Sequence, residues 1–203
     1  MRAKTLIFGA GRHLKSMFTG RYAIVTNTVT AGLISCAGDA ICQRIEMRSD
    51  EKKFSTHRNF NMTAVGTALG PVDHLWYALL DGKLPGSHSK AVKIKVALDI
   101  LFAVPYTAIC VYLVSLLKGN TSEESVHEVK DKLPILLTVD TIGWSVLQTI
   151  NFAFAPPYLR VVVLKLNEFL LSTFDSHVIN NDYTVQSFLF KVRKNVFPVP
   201  DDD

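Results

Sequence analysis

Four aspartates stand alone in otherwise uncharged stretches of this chain: Asp39, Asp73, Asp99 and Asp140. A carboxylate facing lipid costs roughly 2.5–3.5 kcal/mol, so each needs a partner, a proton or water. Polar neighbours accompany them. Gln43 follows Asp39 by one helical turn, His74 adjoins Asp73, Gln148 and Asn151 follow Asp140, and Arg160 comes just after the Pro156-Pro157 pair. Two chemistries fit this set. Acidic rings can line a water-filled path that favours cations, or each acid can be protonated or hydrogen-bonded to a neighbouring helix and fix its packing. His74 beside Asp73 offers a titrating pair, while His74, Trp76 and Tyr77 together also suit an aromatic belt at a membrane surface.

Other chemistry is missing from the sequence. It holds no Walker loop, no HExxH and no GxSxG, and its six histidines are dispersed without ligand spacing. No catalytic, cofactor or metal site is therefore expected, and the chain reads as a non-enzyme. Cys36, Cys42 and Cys110 are odd in number and lie in apolar stretches, which suits buried reduced thiols better than disulfides. A net charge of +4 is too mild to indicate sequence-specific nucleic-acid binding.

The elements that hold the aspartates are legible from the distribution of charge. Of 203 residues, 48% are hydrophobic and 20% charged. Four windows, 22–43, 59–80, 96–117 and 133–159, contain one charged residue each, and the rest of the chain holds all the others. A soluble helix mixes charge along its length to gain a wet face. Segregation by segment predicts an all-α polytopic membrane protein with spans at about 24–42, 60–80, 94–117 and 133–155, each near 28 Å or longer. Gly66-Thr-Ala-Leu-Gly70 is a GxxxG pattern that permits close helix approach. Pro71 and Pro105 each remove a backbone donor inside a span, and Pro156-Pro157 ends or bends the fourth. Threading the spans back and forth groups Asp73 with Asp99 and Asp39 with Asp140, with Arg160 in reach of the first layer.

Residues 1–21 carry five basic residues and no acid at amphipathic spacing, a form read by mitochondrial import. Residues 22–176 are predicted to form one membrane-embedded domain. After the prolines, 158–174 reads as a helix at the interface or packed on the bundle, and 177–203 as a loosely ordered tail.

Taken together, these stretches resemble the Mpv-seventeen family of small mitochondrial and peroxisomal membrane proteins. The residues that carry the resemblance are Gly38-Asp39-x-x-x-Gln43, Gly70-Pro71-x-x-His74-x-Trp76-Tyr77 with Leu80-Asp81, and Asp99 followed by Pro105. Trp144-x-x-x-Gln148-x-x-Asn151-Phe152 leading to Pro157-x-x-Arg160-Val161 completes the set, in order, over residues 20–176. Gly20-Arg21, the Val25-Thr26-Asn27-Thr28 run and the double proline look most like its "like-two" branch. Ile100, Thr141, Ser145 and the closing Leu171…Phe174-Asp175-Ser176 depart from the family pattern. The resemblance implies an inner mitochondrial membrane protein, or else a peroxisomal one, without a cofactor. The branch implies support of mitochondrial ribosome assembly and translation, with the ribosomal large subunit or its assembly factors as partners beside the bilayer. Other members imply a channel of limited selectivity and a possible homo-oligomer.

Overall fold

The computed structural model describes residues 22–49, 53–84, 89–154 and 160–187. They form five helices and, among the described residues, no strand. These are α1 (Ala23–Ser49), α2 (Thr56–Lys83), α3 (Ser89–Leu117), α4 (Ser122–Phe154) and α5 (Arg160–Asn180). The first four run 27 to 33 residues, about 40–50 Å at 1.5 Å per residue. Pro71, Pro105 and Pro134 lie inside α2, α3 and α4, which continue through them. Residues 1–21, the Pro156-Pro157 pair and 188–203 lie outside the described residues.

Ser55 caps α2, its hydroxyl accepting from the Arg58 amide at 3.2 Å. Before α4, Thr121 and Glu124 satisfy each other's backbone amides reciprocally. Gly119, at φ 96°, supplies the left-handed turn that separates α3 from α4. The segment 118–132, between the third and fourth expected spans, is thus mostly the first three turns of a helix.

The helices close a ring in which α1 packs on α2 and α5, α4 on α3 and α5, and α2 on α3. Small residues bring α1 and α2 together. A Cβ on Gly70 would lie 2.7 Å from the Thr28 backbone, and one on Gly66 would collide with Ser35. Both residues of the GxxxG pattern are therefore contact points.

Met62, Val65, Leu69, Val111, Val114, Ile135, Leu136, Val178 and Ile179 form the apolar core. They come from the start of α2, the end of α3, the first half of α4 and the end of α5, so the core occupies one end of the bundle. The boundary expected at residue 176 is corrected by this core. α5 continues to Asn180 and buries Ser176, Val178 and Ile179. Its last turn was hidden in the sequence by its polar neighbours, whose partners are themselves buried.

Two of the four expected spans, over Ala23–Arg48 and Lys93–Leu117, are long and apolar enough to cross a membrane by length and composition. Among the described residues, α2 and α4 are long but do not meet that test. α2 opens on His57, Arg58, Asn59 and Asn61, and α4 carries Glu123, Glu124, Glu128, Lys130, Asp131 and Lys132 before its apolar part.

Candidate functional site: a buried ionic clasp

On α1, Asp39, Gln43 and Glu46 recur at helical spacing and are all buried, on the side turned toward α2 and α5. Gln43 locates the start of α2. Its side-chain amide donates to the Ser55 carbonyl at 3.0 Å and accepts from the Ser55 amide at 2.6 Å. It also donates to Asp39 Oδ2 at 2.7 Å. With Ser55 so held, the first turn of α2 places Arg58 between the two acids of α1.

Arg58 fills that position with its whole guanidinium. Nε donates to Asp39 Oδ1 at 2.8 Å and Nη1 to Glu46 Oε2 at 2.6 Å. Nη2 donates to the Ser176 hydroxyl at 3.1 Å and approaches Cys42 Sγ at 3.2 Å. Ser176 in turn donates to Asp39 Oδ1 at 2.6 Å, and Asn59 donates to Asp39 Oδ2 at 3.0 Å. Asp39 is 0% exposed, so this saturation is what makes its charge tolerable. Burial alone would lower the Arg58 pKa, but its hydrogen bond to Glu46 and the charges of Asp39 and Glu46 raise it. α5 contributes further: His177 Nδ1 lies 2.7 Å from Glu46 Oε1, and Asn181 donates to the same oxygen at 2.7 Å.

Cys42 Sγ, a Glu46 oxygen and His177 Nδ1 lie within 4.8 Å of one another, a donor set that suits a metal ion. The Arg58 guanidinium touches two of the three, and its charge occupies the place a cation would take. The grouping therefore works as part of the clasp.

A second ionic cluster closes the neighbouring corner. Lys118 and Lys132 each donate to the Ile179 carbonyl at 2.6 Å, covering an acceptor in the last turn of α5. Glu128 bridges both ammonium groups, at 3.0 Å from Lys118 and in direct contact with Lys132. Burial would raise the Glu128 carboxyl, but hydrogen bonds from Lys132 and Ser115, with the charge of Lys118, hold it down at about 2. Burial and the adjacent Lys132 push the Lys118 ammonium down.

The remaining sequence-predicted residues lie along the bundle. Tyr106 donates to Asp73 Oδ2 at 2.7 Å. Trp76 donates to Asp99 Oδ1 at 3.1 Å and stacks on Phe102 at 4.2 Å, so it faces α3. His74 pairs with Asn27 of α1 at 2.8 Å. The expected layer of Asp39 with Asp140 is corrected. Asp140 meets Asp175 of α5. Counting depth from span ends failed because α4 begins eleven residues earlier than its apolar part and because α5 brings an acid of its own. Oδ1 of Asp140 and of Asp175 are buried without a hydrogen-bond partner among the described residues. The side chains of Gln148, Asn151 and Arg160 lie outside the described residues, as does that of Tyr77.

Arg58, Glu46, Ser176, Lys118, Glu128 and Lys132 were not singled out in the sequence. Arg58 and Glu46 had one available signal, since each is a charge within four residues of a span end. Ser176 had none, being 137 residues from its partner.

Comparison with known proteins bears on this arrangement. The profile of the Mpv17 / PMP22 family matches residues 115–176, which include the end of α3, all of α4 and most of α5. The chain is 32% identical over 139 residues to the mitochondrial inner membrane protein Mpv17 of Xenopus laevis, covering 68% of this chain and 78% of that one. It is 28% identical over 178 residues to an Mpv17-like protein of the same species, covering 81% of each. It is also 26% identical over 149 residues to PXMP2/4 family protein 4 of Dictyostelium discoideum, covering 72% of this chain and 80% of that one. No solved structure matches. With the helical bundle, its Gly38-Asp39-x-x-x-Gln43 clasp and this coverage together, the chain belongs to the Mpv17 / PMP22 family.

Proposed function

We propose that this chain is a non-catalytic integral protein of the inner mitochondrial membrane, with α1 to α4 crossing it and α5 packed among them. The observation that supports this is an inverted distribution of polarity. Asp39, Gln43, Glu46, Asn61, Lys132 and Asn167 are buried, while Leu33, Phe60, Leu75, Leu101 and Ile142 are 61–67% exposed. Water outside would favour the reverse arrangement; lipid outside favours this one. The printed names of several relatives, from Xenopus laevis and Rattus norvegicus among others, support the inner mitochondrial membrane. Resistance to alkaline carbonate extraction and protease protection in intact mitochondria test the placement, and release into the carbonate supernatant overturns it.

Within that membrane, the proposed role is support of mitochondrial ribosome assembly and translation. The resemblance to the "like-two" branch supports it, as does the use of Asp39, Asp73 and Asp99 in helix-to-helix hydrogen bonds, which suits a rigid scaffold. Gradient sedimentation of solubilised mitochondria is expected to show the chain with large ribosomal subunits, and its depletion to lower assembled ribosomes. Intact ribosomes after depletion count decisively against this role.

A channel for small solutes or ions is the second reading, favoured by the two unpartnered carboxyl oxygens of Asp140 and Asp175 in the interior. It predicts conductance in a pure reconstituted bilayer whose selectivity changes in Asp140→Asn and Asp175→Asn. A silent bilayer across voltage and pH overturns it.

A further inference from the structure

The side of α1 opposite the clasp carries a different arrangement. Ala40, Ile41, Arg44 and Met47 fall on one face at helical spacing, and with Phe54 they line an open groove of about 610 Å³. Ile41, Met47 and Phe54 remain 43%, 37% and 44% exposed. We propose that this groove binds an anionic phospholipid, its phosphate on Arg44 and the upper part of an acyl chain against Ala40, Ile41, Met47 and Phe54.

Three features point to that ligand. The groove volume lies within the roughly 300–1,000 Å³ of small-molecule sites. Its lining changes from apolar to cationic where the first span, 24–42, gives way to charge, the depth at which a bilayer changes from chains to headgroups. Arg44 is the one charged residue of the lining, and a guanidinium matches phosphate through paired N–H donors. Arg48 and Lys53 are exposed nearby in the chain and add positive potential, whereas the acid of this turn, Glu46, is directed inward onto Arg58. Asp50 and Glu51 lie outside the described residues. A small water-soluble anion would leave the four apolar walls wet. The inference rests on the membrane reading above.

The test uses the full chain purified in dodecyl maltoside and titrated with dioleoyl phosphatidylglycerol, dioleoyl phosphatidylcholine or inorganic phosphate, with binding read by native mass spectrometry. Phosphatidylglycerol is expected to bind about fivefold tighter than phosphatidylcholine, the contribution of one basic group near a membrane surface. Arg44→Gln is expected to abolish that preference and Arg44→Lys to retain part of it. Phe54→Ala should weaken both lipids together. Equal binding of the two lipids by the natural chain, or an undiminished preference in Arg44→Gln, overturns the proposal. Inorganic phosphate binding as tightly as phosphatidylglycerol overturns it too, in favour of a free-anion site. Carbonate extraction of the natural chain separates the two readings. Release overturns the membrane placement, whereas a pelleted chain without lipid preference overturns only the lipid site.

Discussion

The Arg58 guanidinium sits 2.8 Å from the carboxylate of Asp39, joining the start of α2 to the inner face of α1 where the acid has no exposure to solvent. Removing the cation leaves Asp39 and Glu46 buried without their shared counter-charge. Arg58→Ala is therefore expected to destabilise the bundle by about 3–5 kcal/mol, as for other broken buried pairs. Arg58→Lys should recover part of this, since a single ammonium cannot reach Asp39, Glu46 and Ser176 at once. Thermal unfolding in detergent, read by tryptophan fluorescence, checks both. Unchanged unfolding of Arg58→Ala would remove the clasp as a source of stability.

The close approach of α1 and α2 gives a paired test. A Cβ at Gly70 meets the Thr28 backbone at 2.7 Å, which no rotamer change relieves, while one at Gly82 meets nothing within 4 Å. Gly70→Ala should cost about 1–3 kcal/mol by overpacking. Gly82→Ala should be neutral or stabilising by up to about 1 kcal/mol through helix propensity. Equal melting temperatures for the two variants would contradict the observed helix contact.

The second cluster makes the end of α5 sensitive to acid. Glu128 is held at about 2, below its ordinary value of 4.5, chiefly against burial and by its bonds to Lys132 and Ser115. A depressed carboxyl contributes stability that is present above the ordinary value and lost as pH falls from there toward about 2. Amide hydrogen exchange in residues 176–180 should accelerate between pH 4.5 and pH 2.5, after correction for intrinsic rates, while the middle of α3 changes less. In Glu128→Gln the segment should already exchange faster at neutral pH, and this extra acid sensitivity should vanish.

The turn before α4 can be probed alone. Thr121→Ala removes the hydroxyl that accepts the Glu124 amide at 3.3 Å and should cost about 1 kcal/mol. Exchange is expected to rise in the first turn of α4 and to stay unchanged at the clasp. A change at Asp39 and Arg58 instead would mean that the two ends of the bundle are coupled through α4.

The helices and the close-packed α1–α2 pair were readable because both depend on local spacing: charge withheld over about twenty residues, and glycines four apart. Asp39 and Gln43 could be named for the same reason. Their partners could not. Arg58 looked like a flanking charge, and Ser176 and His177 looked like the beginning of a polar tail. The contact that reveals them spans 137 residues, and no periodicity carries that information. Asp140 was wrongly paired with Asp39 because depth along a helix was inferred from where charge stops, whereas α4 starts at its capping box, in the middle of charge.

The distance in sequence between Asp39 and Ser176 also sets an order of events during synthesis. A ribosome delivers α1 and α2 long before α5, so the nascent hairpin holds its arginine and two acids with one corner open. Only the docking of residues 176–181, among the last of the described chain to emerge, supplies the hydroxyl, the imidazole and the amide that finish the clasp. A chain stopped before Ser176 carries every apolar span yet leaves its buried charges incompletely bonded.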